Sequence, residues 1–388
     1  MRLRAIVGSV FVWILVFGSG LACNKNEEGS DSSKDKENDD TDDTESDFES
    51  ANRCAGVPMR PDDLFDAVTA LKQATAAVPE SEQPYLGMVI PYQTSFWVTP
   101  QLGVGHAVEE LSCSINFTGA EAESASPGAD QKTIVDGFVE NRVDALAISC
   151  KDAELLEPSI VKGIAEDIPV ITFDADGVAG SRRQLYLGTV NLQAGVTAGE
   201  VMLALLAEEG GQVALFLNSE GDANMIERKA GIQDIFAGTP AELVQTYSHN
   251  GDLELLTQNI QAAISDYPDL RGIISLNGHI GPILGDGLIE AGKVGQIKVV
   301  VFDLLFDTQV HLENEVIDAT IVQQSYFFGY LGGHILYSMA TIGVDETLRA
   351  LEPWLDGEIF DTGTQVITKD NLQDYSNFME CLGVDESK

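Results

Sequence analysis

Five aliphatic runs along this chain close in the same way, with a polar or aromatic residue just past the last aliphatic position. They are Met88-Val89-Ile90-Pro91-Tyr92, leading into Thr94-Ser95-Phe96-Trp97; Val170-Ile171-Thr172-Phe173-Asp174; Gly272-Ile273-Ile274-Ser275-Leu276-Asn277; Val299-Val300-Val301-Phe302-Asp303; and Ala319-Thr320-Ile321-Val322-Gln323. Nearly continuous aliphatic runs of strand length are expected where helices cover both faces of a parallel sheet. Ligands of such open sheets sit outside the carboxyl ends of the strands. Asp, Asn, Gln and aromatics repeated at that level therefore describe a hydroxyl-rich pocket.

Between the runs the pattern predicts helices. The fold is expected to begin near Arg60 with a helix from Pro61 to Ala76, and the first strand starts at Tyr85. Strand and helix then alternate: Ser114 to Thr118, helix Asp130 to Glu140, Ala145 to Ser149, helix Glu157 to Ala165, Val170 to Phe173. Such alternation implies βαβ units around a parallel sheet. Near Leu187-Gly188-Thr189 the pattern restarts, with a helix from Gln193 to Ala207 and strands at Gln212 to Leu217, Leu243 to Tyr247, Ile273 to Leu276 and Val299 to Phe302. The Phe-Asp ending of Val170 to Asp174 returns at Val299 to Asp303. Two similar α/β lobes facing each other across a cleft are expected. Each Asp has a second use as a cap of the following helix.

The N-terminus has its own pattern. Arg2 and Arg4 precede an apolar run from Ile6 to Phe17, too short to span a bilayer comfortably, and Gly18-Ser19-Gly20-Leu21-Ala22 lead to Cys23. Residues 1–22 resemble a bacterial lipoprotein signal, with Cys23 the lipidated first residue of the mature chain and Gly20 replacing the usual aliphatic. The protein is expected to be exported to the periplasm and anchored to a membrane through this lipid. Residues 23–52 are acidic and polar with almost no aliphatics, which predicts a disordered tether.

Composition narrows the partners. The net charge of −40 argues against nucleic acid, whose phosphates would be repelled, and disfavours a strongly anionic ligand. In an oxidising compartment Cys54 and Cys381, which flank the lobes, are expected to bridge. Cys113 and Cys150 are expected at opposite edges of one sheet and unpaired.

A cleft built from the strand ends would hold Asp174 and Asp303 as acceptors for paired hydroxyls. Asn277 and Gln323 both donate and accept. Phe96 and Trp97, following Thr94, offer flat apolar faces for the C–H side of a ring. Arg228, opening a helix after the first strand of the second lobe, would compensate the two carboxylates; taken by itself it reads first as a surface helix residue. The five histidines show no zinc spacing, and no nucleophile elbow or phosphate loop occurs, so no metal, cofactor or catalytic residue is expected. His279, beside Asn277, is the one histidine with a claim to line the cleft, and an exposed loop is the reading favoured for it.

With those residues in place, the chain from Tyr85 to about Lys369 resembles the type I periplasmic sugar-binding proteins, the ribose- and galactose-binding group serving ABC importers. The stretches that carry the resemblance are Ile168 to Asp174, Leu187 to Gly195, Arg228-Lys229-Ala230-Gly231, Val300 to Asp303, Ala319 to Gln324 and Gly329 to Gly333. It implies α/β lobes with doubly wound parallel sheets joined by a three-crossover hinge. An N-terminal helical extension would occupy 53–84, the first lobe 85–189 with 324–352, the second 190–323 with 353–370, and a C-terminal extension 371–388. It also implies a sugar or polyol gripped by Thr94, Phe96, Trp97, Asp174, Arg228, Asn277, Asp303 and Gln323, an ABC importer permease as partner, and a monomer. Thr94 stands where the family often has Asn, Ala175 where an Arg is common, and an aromatic is missing near Gly251. Two other uses of the fold are a sensor docking to a chemoreceptor or kinase, and an exported sugar-active enzyme with Asp174 and Asp303 as an acid/base pair.

Overall fold

Aliphatic residues on both faces of each central strand force helices onto both sides, and the chain meets that demand twice. The computed structural model describes residues 53–111 and 113–384. The expected signal at 1–22, Cys23 and the whole of the tether to residue 52 therefore lie outside the described residues.

The first lobe opens with helix α1 (Asp62–Thr75), then β1 (Tyr85–Tyr92), α2 (Val98–Glu110), β2 (Ser114–Ala120), α3 (Pro127–Glu140), β3 (Ala145–Ile148), α4 (Ala153–Ala165), β4 (Val170–Phe173) and β5 (Leu185–Gly188). The second runs α5 (Asn191–Leu206), β6 (Gly211–Leu217), α6 (Ala223–Phe236), β7 (Ala241–Ser248), α7 (Leu253–Asp266), β8 (Leu270–Ser275), α8 (Ile280–Glu290), β9 (Lys298–Phe302), α9 (Phe306–Glu313) and β10 (Ala319–Gln323). The chain returns through α10 (Ser325–Thr341), α11 (Val344–Leu351), β11 (Leu355–Asp356), β12 (Ile359–Asp361), β13 (Thr364–Ile367) and α12 (Leu372–Cys381). Helix α4 starts a turn earlier than Glu157, because the Asp152 carboxylate accepts from the Leu155 N–H and caps it despite Pro158 inside the helix.

The sheets are ordered β11-β12-β5-β4-β3-β1-β2 and β13-β10-β9-β8-β6-β7. In each, the first strand of the lobe lies between the second and the third, so the strand order reverses at the same place, beside β1 in one lobe and β6 in the other. That reversal opens the crevice where α/β sheets bind ligands.

The third crossover differs from the expected division at 353. Ile359–Asp361 pairs parallel with β5, placing Ile359 opposite Tyr186 and Phe360 opposite Leu187, and Phe360 is wholly buried. Residues 355–361 thus extend the first sheet, and the chain reaches the second sheet only at β13, which pairs antiparallel with β10. The crossing uses Gly363 at φ +70°, a left-handed conformation that suits glycine. One oxygen of Asp361 accepts the N–H of Val190 at 3.1 Å and of Gly363 at 2.9 Å, fastening two of the three crossovers together.

The N-terminal extension adds a third layer to the first lobe. Leu64, Phe65, Val68 and Leu71 of α1 are buried, and Phe65 meets Phe327 of α10 edge-on at 5.0 Å. At the end of α2, Glu110 accepts from Tyr330 Oη at 2.9 Å and lies 3.3 Å from both Arg53 Nη2 and His334 Nε2. Cys54 and Cys381 are joined as a disulfide, tying the start of this layer to α12. Cys113 and Cys150 are free thiols. They do not lie at opposite sheet edges: β2 is an edge strand, but β3, which precedes Cys150, is interior, with only β1 between them.

Candidate functional site

Asp174 and Asp303 hold equivalent positions in the two lobes. Each follows the phenylalanine that ends its strand and adopts left-handed backbone, with φ +58° and +61°. That conformation costs an ordinary residue energy, but Asp tolerates it better than most. It turns each backbone N–H onto the next strand, to the carbonyl of Leu187 at 3.1 Å and of Ile321 at 2.9 Å. Each Asp carbonyl then receives a hydroxyl, from Tyr186 at 2.8 Å and Thr320 at 2.6 Å respectively. The Phe-Asp echo in the sequence is therefore a repeated turn that presents two carboxylates to a shared cleft.

That cleft encloses about 1480 Å³ between the lobes. Thr94, Phe96, Trp97 and Asp174 line it from the first lobe, and Arg228, Asn277, Asp303 and Gln323 from the second. Arg228 is buried, over the Phe302 ring at 4.3 Å. Its Nε donates to Asn191 Oδ1 at 2.9 Å, Nη1 to the Leu276 carbonyl at 2.8 Å and Nη2 to Gln323 Oε1 at 2.8 Å. Gln323 Nε2 in turn donates to Asp303 Oδ1 at 3.0 Å. Asp174 Oδ2 accepts from Ser149 Oγ at 2.8 Å. Burial raises the Asp174 carboxyl to about 6, helped by the charge of Asp303 and opposed by Ser149 and Arg228. Asp303 is raised for the same first reason, with Arg228 and Gln323 opposing.

The two aromatics differ in placement. Phe96 is half-buried, whereas Trp97 is buried and packs edge-on to Phe96 at 4.9 Å and to Phe173 at 5.9 Å. Trp97 thus contributes mainly to the core beneath the cleft and Phe96 to its wall. His279 does line the cleft and is exposed, with its Nε2 3.0 Å from that of His249. Arg183 also reaches the cleft, its guanidinium forked onto Asp176 at 2.8 and 2.7 Å, not far along the chain from Ala175.

Sequence reasoning missed Ser149 and Asn191, which orient Asp174 and Arg228. Ser149 follows the last residue of β3, a strand end like those that carry the site. Among the described residues no group of three or more His, Cys, Asp or Glu could hold a metal, and no helix is long and apolar enough to cross a membrane.

Known proteins share this arrangement of lobes. Residues 86–344 match the family described as periplasmic binding protein domain. The xylose/arabinose-binding protein of Sulfolobus acidocaldarius is 25% identical over 295 residues, covering 72% of this chain and 69% of that protein. A solute-binding protein of an ABC transporter from Burkholderia graminis, solved with D-arabinose, is 26% identical at a TM-score of 0.64, covering 74% of this chain and 96% of that one. The arabinose-binding protein of Geobacillus stearothermophilus is 27% identical at a TM-score of 0.63, covering 75% and 98%.

Proposed function

The chain belongs to the periplasmic binding protein family, and we propose that it grips a monosaccharide-like ligand between its lobes and delivers it to an ABC importer, anchored outside the cytoplasm by a lipid on Cys23. The observation that carries this reading is the convergence of Asp174, Asn277, Asp303 and Gln323 around one cleft, with Arg228 buried among the second-lobe partners. Carboxylates accept hydroxyl protons in charge-assisted bonds roughly twice as strong as neutral ones. Asn277 and Gln323 add donors as well as acceptors, so vicinal hydroxyls of a sugar or polyol find complementary partners. The Phe96 ring offers a face to the C–H side of a sugar ring. Small-molecule pockets span roughly 300–1000 Å³, so a cleft of 1480 Å³ leaves room for the lobes to close further on a monosaccharide.

The two carboxylates act here as hydroxyl acceptors, and the protein is a binder with no turnover. A thermal-shift screen of the mature protein against pentoses, hexoses and polyols tests the reading, since a ligand that binds only the native state raises stability by mass action. A sugar should raise Tm in proportion to the logarithm of its concentration; a flat response to all of them would sink the proposal. Cys23→Ser tests the anchor separately. Identical mass and identical detergent partitioning for wild type and variant would exclude the lipid.

A further inference from the structure

In the lining of the cleft, Lys151 of the first lobe meets Asp222 of the second, Nζ to Oδ1 at 3.5 Å. Neither residue belongs to the hydroxyl-binding set. Both are held from behind by residues that do, or that touch them. On the first-lobe side the Lys151 N–H donates to Gln131 Oε1 at 3.0 Å. Gln131 is wholly buried, and its Nε2 donates to the Ser149 carbonyl at 2.6 Å. Ser149 Oγ is the donor to Asp174. On the second-lobe side Asn218 Nδ2 donates to Asp222 Oδ2 at 3.3 Å, and the Asn218 N–H donates to Asn277 Oδ1 at 2.8 Å. A continuous hydrogen-bonded path therefore runs from Asp174 in one lobe to Asn277 in the other, and its one step across the gap is the Lys151–Asp222 pair.

We propose that Lys151 and Asp222 form a latch that holds the two lobes together and sets how long a bound ligand is retained, positioned by the same residues that orient Asp174 and Asn277. The proposal rests on the reading of the cleft as a closing receptor site. Side-chain exposures of 30% and 27% leave the pair partly wet, so it is weak enough to open. A contact that bridges the two lobes favours, by its own strength and whatever the ligand, the arrangements in which it can form. A disturbance at Ser149 or Asn218 would reach the latch through one or two hydrogen bonds, and loss of the latch would loosen both carriers.

Hydrogen exchange of the mature, sugar-free protein tests the latch without any ligand. Amides of 149–153 and 218–224 should exchange about two- to fivefold faster in Lys151→Met and in Asp222→Asn, the range expected for a partly exposed ion pair. The double variant should add nothing further, and high ionic strength should accelerate the wild type while leaving the variants unchanged. With D-arabinose as probe, dissociation should quicken by the same factor in either variant. Additive effects, or wild-type exchange in both variants, would overturn the latch. Should D-arabinose fail to bind the wild type, that probe counts against the sugar-receptor reading, whereas the sugar-free exchange still decides the latch.

Discussion

Arg228 reaches Asp303 through one amide: its Nη2 donates to Gln323 Oε1 at 2.8 Å, and Gln323 Nε2 donates to Asp303 Oδ1 at 3.0 Å. Direct pairing would have satisfied the carboxylate and withdrawn it from a ligand. The relay leaves Asp303 Oδ2 beside Gly278 in the lining of the cleft, where the Gly278 backbone bonds the carboxylate and the buried guanidinium lowers the cost of a charge.

Breaking this relay should abolish sugar binding with little change in fold. Removing one member of a buried charged set costs about 3–5 kcal/mol, or about a hundredfold or more in affinity. Asp303→Ala or Arg228→Ala should lose binding in calorimetric titration while circular dichroism stays native. Gln323→Leu should lose nearly as much, because it strands Arg228 Nη2 and Asp303 together. Retained tight binding in all three would move the site elsewhere.

Phe96 and Trp97 should separate into two effects. Phe96→Ala removes a half-buried ring from the cleft wall, and a lost ring contact of about 0.5–1.5 kcal/mol lowers affinity about two- to tenfold. Trp97→Ala empties a buried site beside Phe96 and Phe173, costing about 3–5 kcal/mol of stability. Chemical denaturation distinguishes them: the midpoint should fall sharply for Trp97→Ala and barely for Phe96→Ala.

The fold was legible in the chain to the extent that burial on both faces makes strands continuously aliphatic. Val170–Phe173 and Ala319–Gln323 have the ends expected of them. The segment from Leu355 to Asp361 carries no such run, because a short edge hairpin needs only Phe360 to be buried, so its place in the first sheet was hidden. Asp174 and Asp303 stood out because one turn is used twice. Gln131, Ser149 and Asn218 did not, since a polar residue in a sequence does not disclose which backbone group its side chain will reach. Lys151 and Asp222 are 71 positions apart, and only the packing of the folded chain brings them together.

Affinity should fall as the pH drops through about 6. Burial raises the Asp174 carboxyl to about 6, above its ordinary 3.8. In the empty protein the raised value means that protonation adds stability, present in full below about 3.8 and lost as the pH rises through about 6. A ligand whose hydroxyls donate to this group needs it ionised, so binding releases a proton near pH 6. Calorimetry in buffers of different ionisation enthalpy should detect that release, and Asp174→Asn should remove it.

Glu110 should produce the opposite trend in stability. Burial pushes its carboxyl up, but the nearby His334 imidazole, the hydrogen bond from Tyr330 and the charge of Lys72 outweigh burial and lower it to about 2, from 4.5. A depressed value gives stability that is complete above about 4.5 and drains away as the pH falls toward about 2. Urea midpoints measured across that window should decline steeply in the wild type. In Glu110→Gln the slope should flatten; an unchanged slope would show that the cluster does not hold the N-terminal layer in place.

The single Asp361 oxygen shared by Val190 and Gly363 has a mechanical result. Three independent links would let two bodies twist, shear and splay. Two links fastened at one atom act as one pivot, and the connection after Gln323 supplies the other end of an axle. A hinge movement of the second lobe would then turn about the line between those points. A cleft that shuts about a fixed line would bring the same side chains to the same places, so fidelity of grip would be decided at the axle, before any ligand is touched.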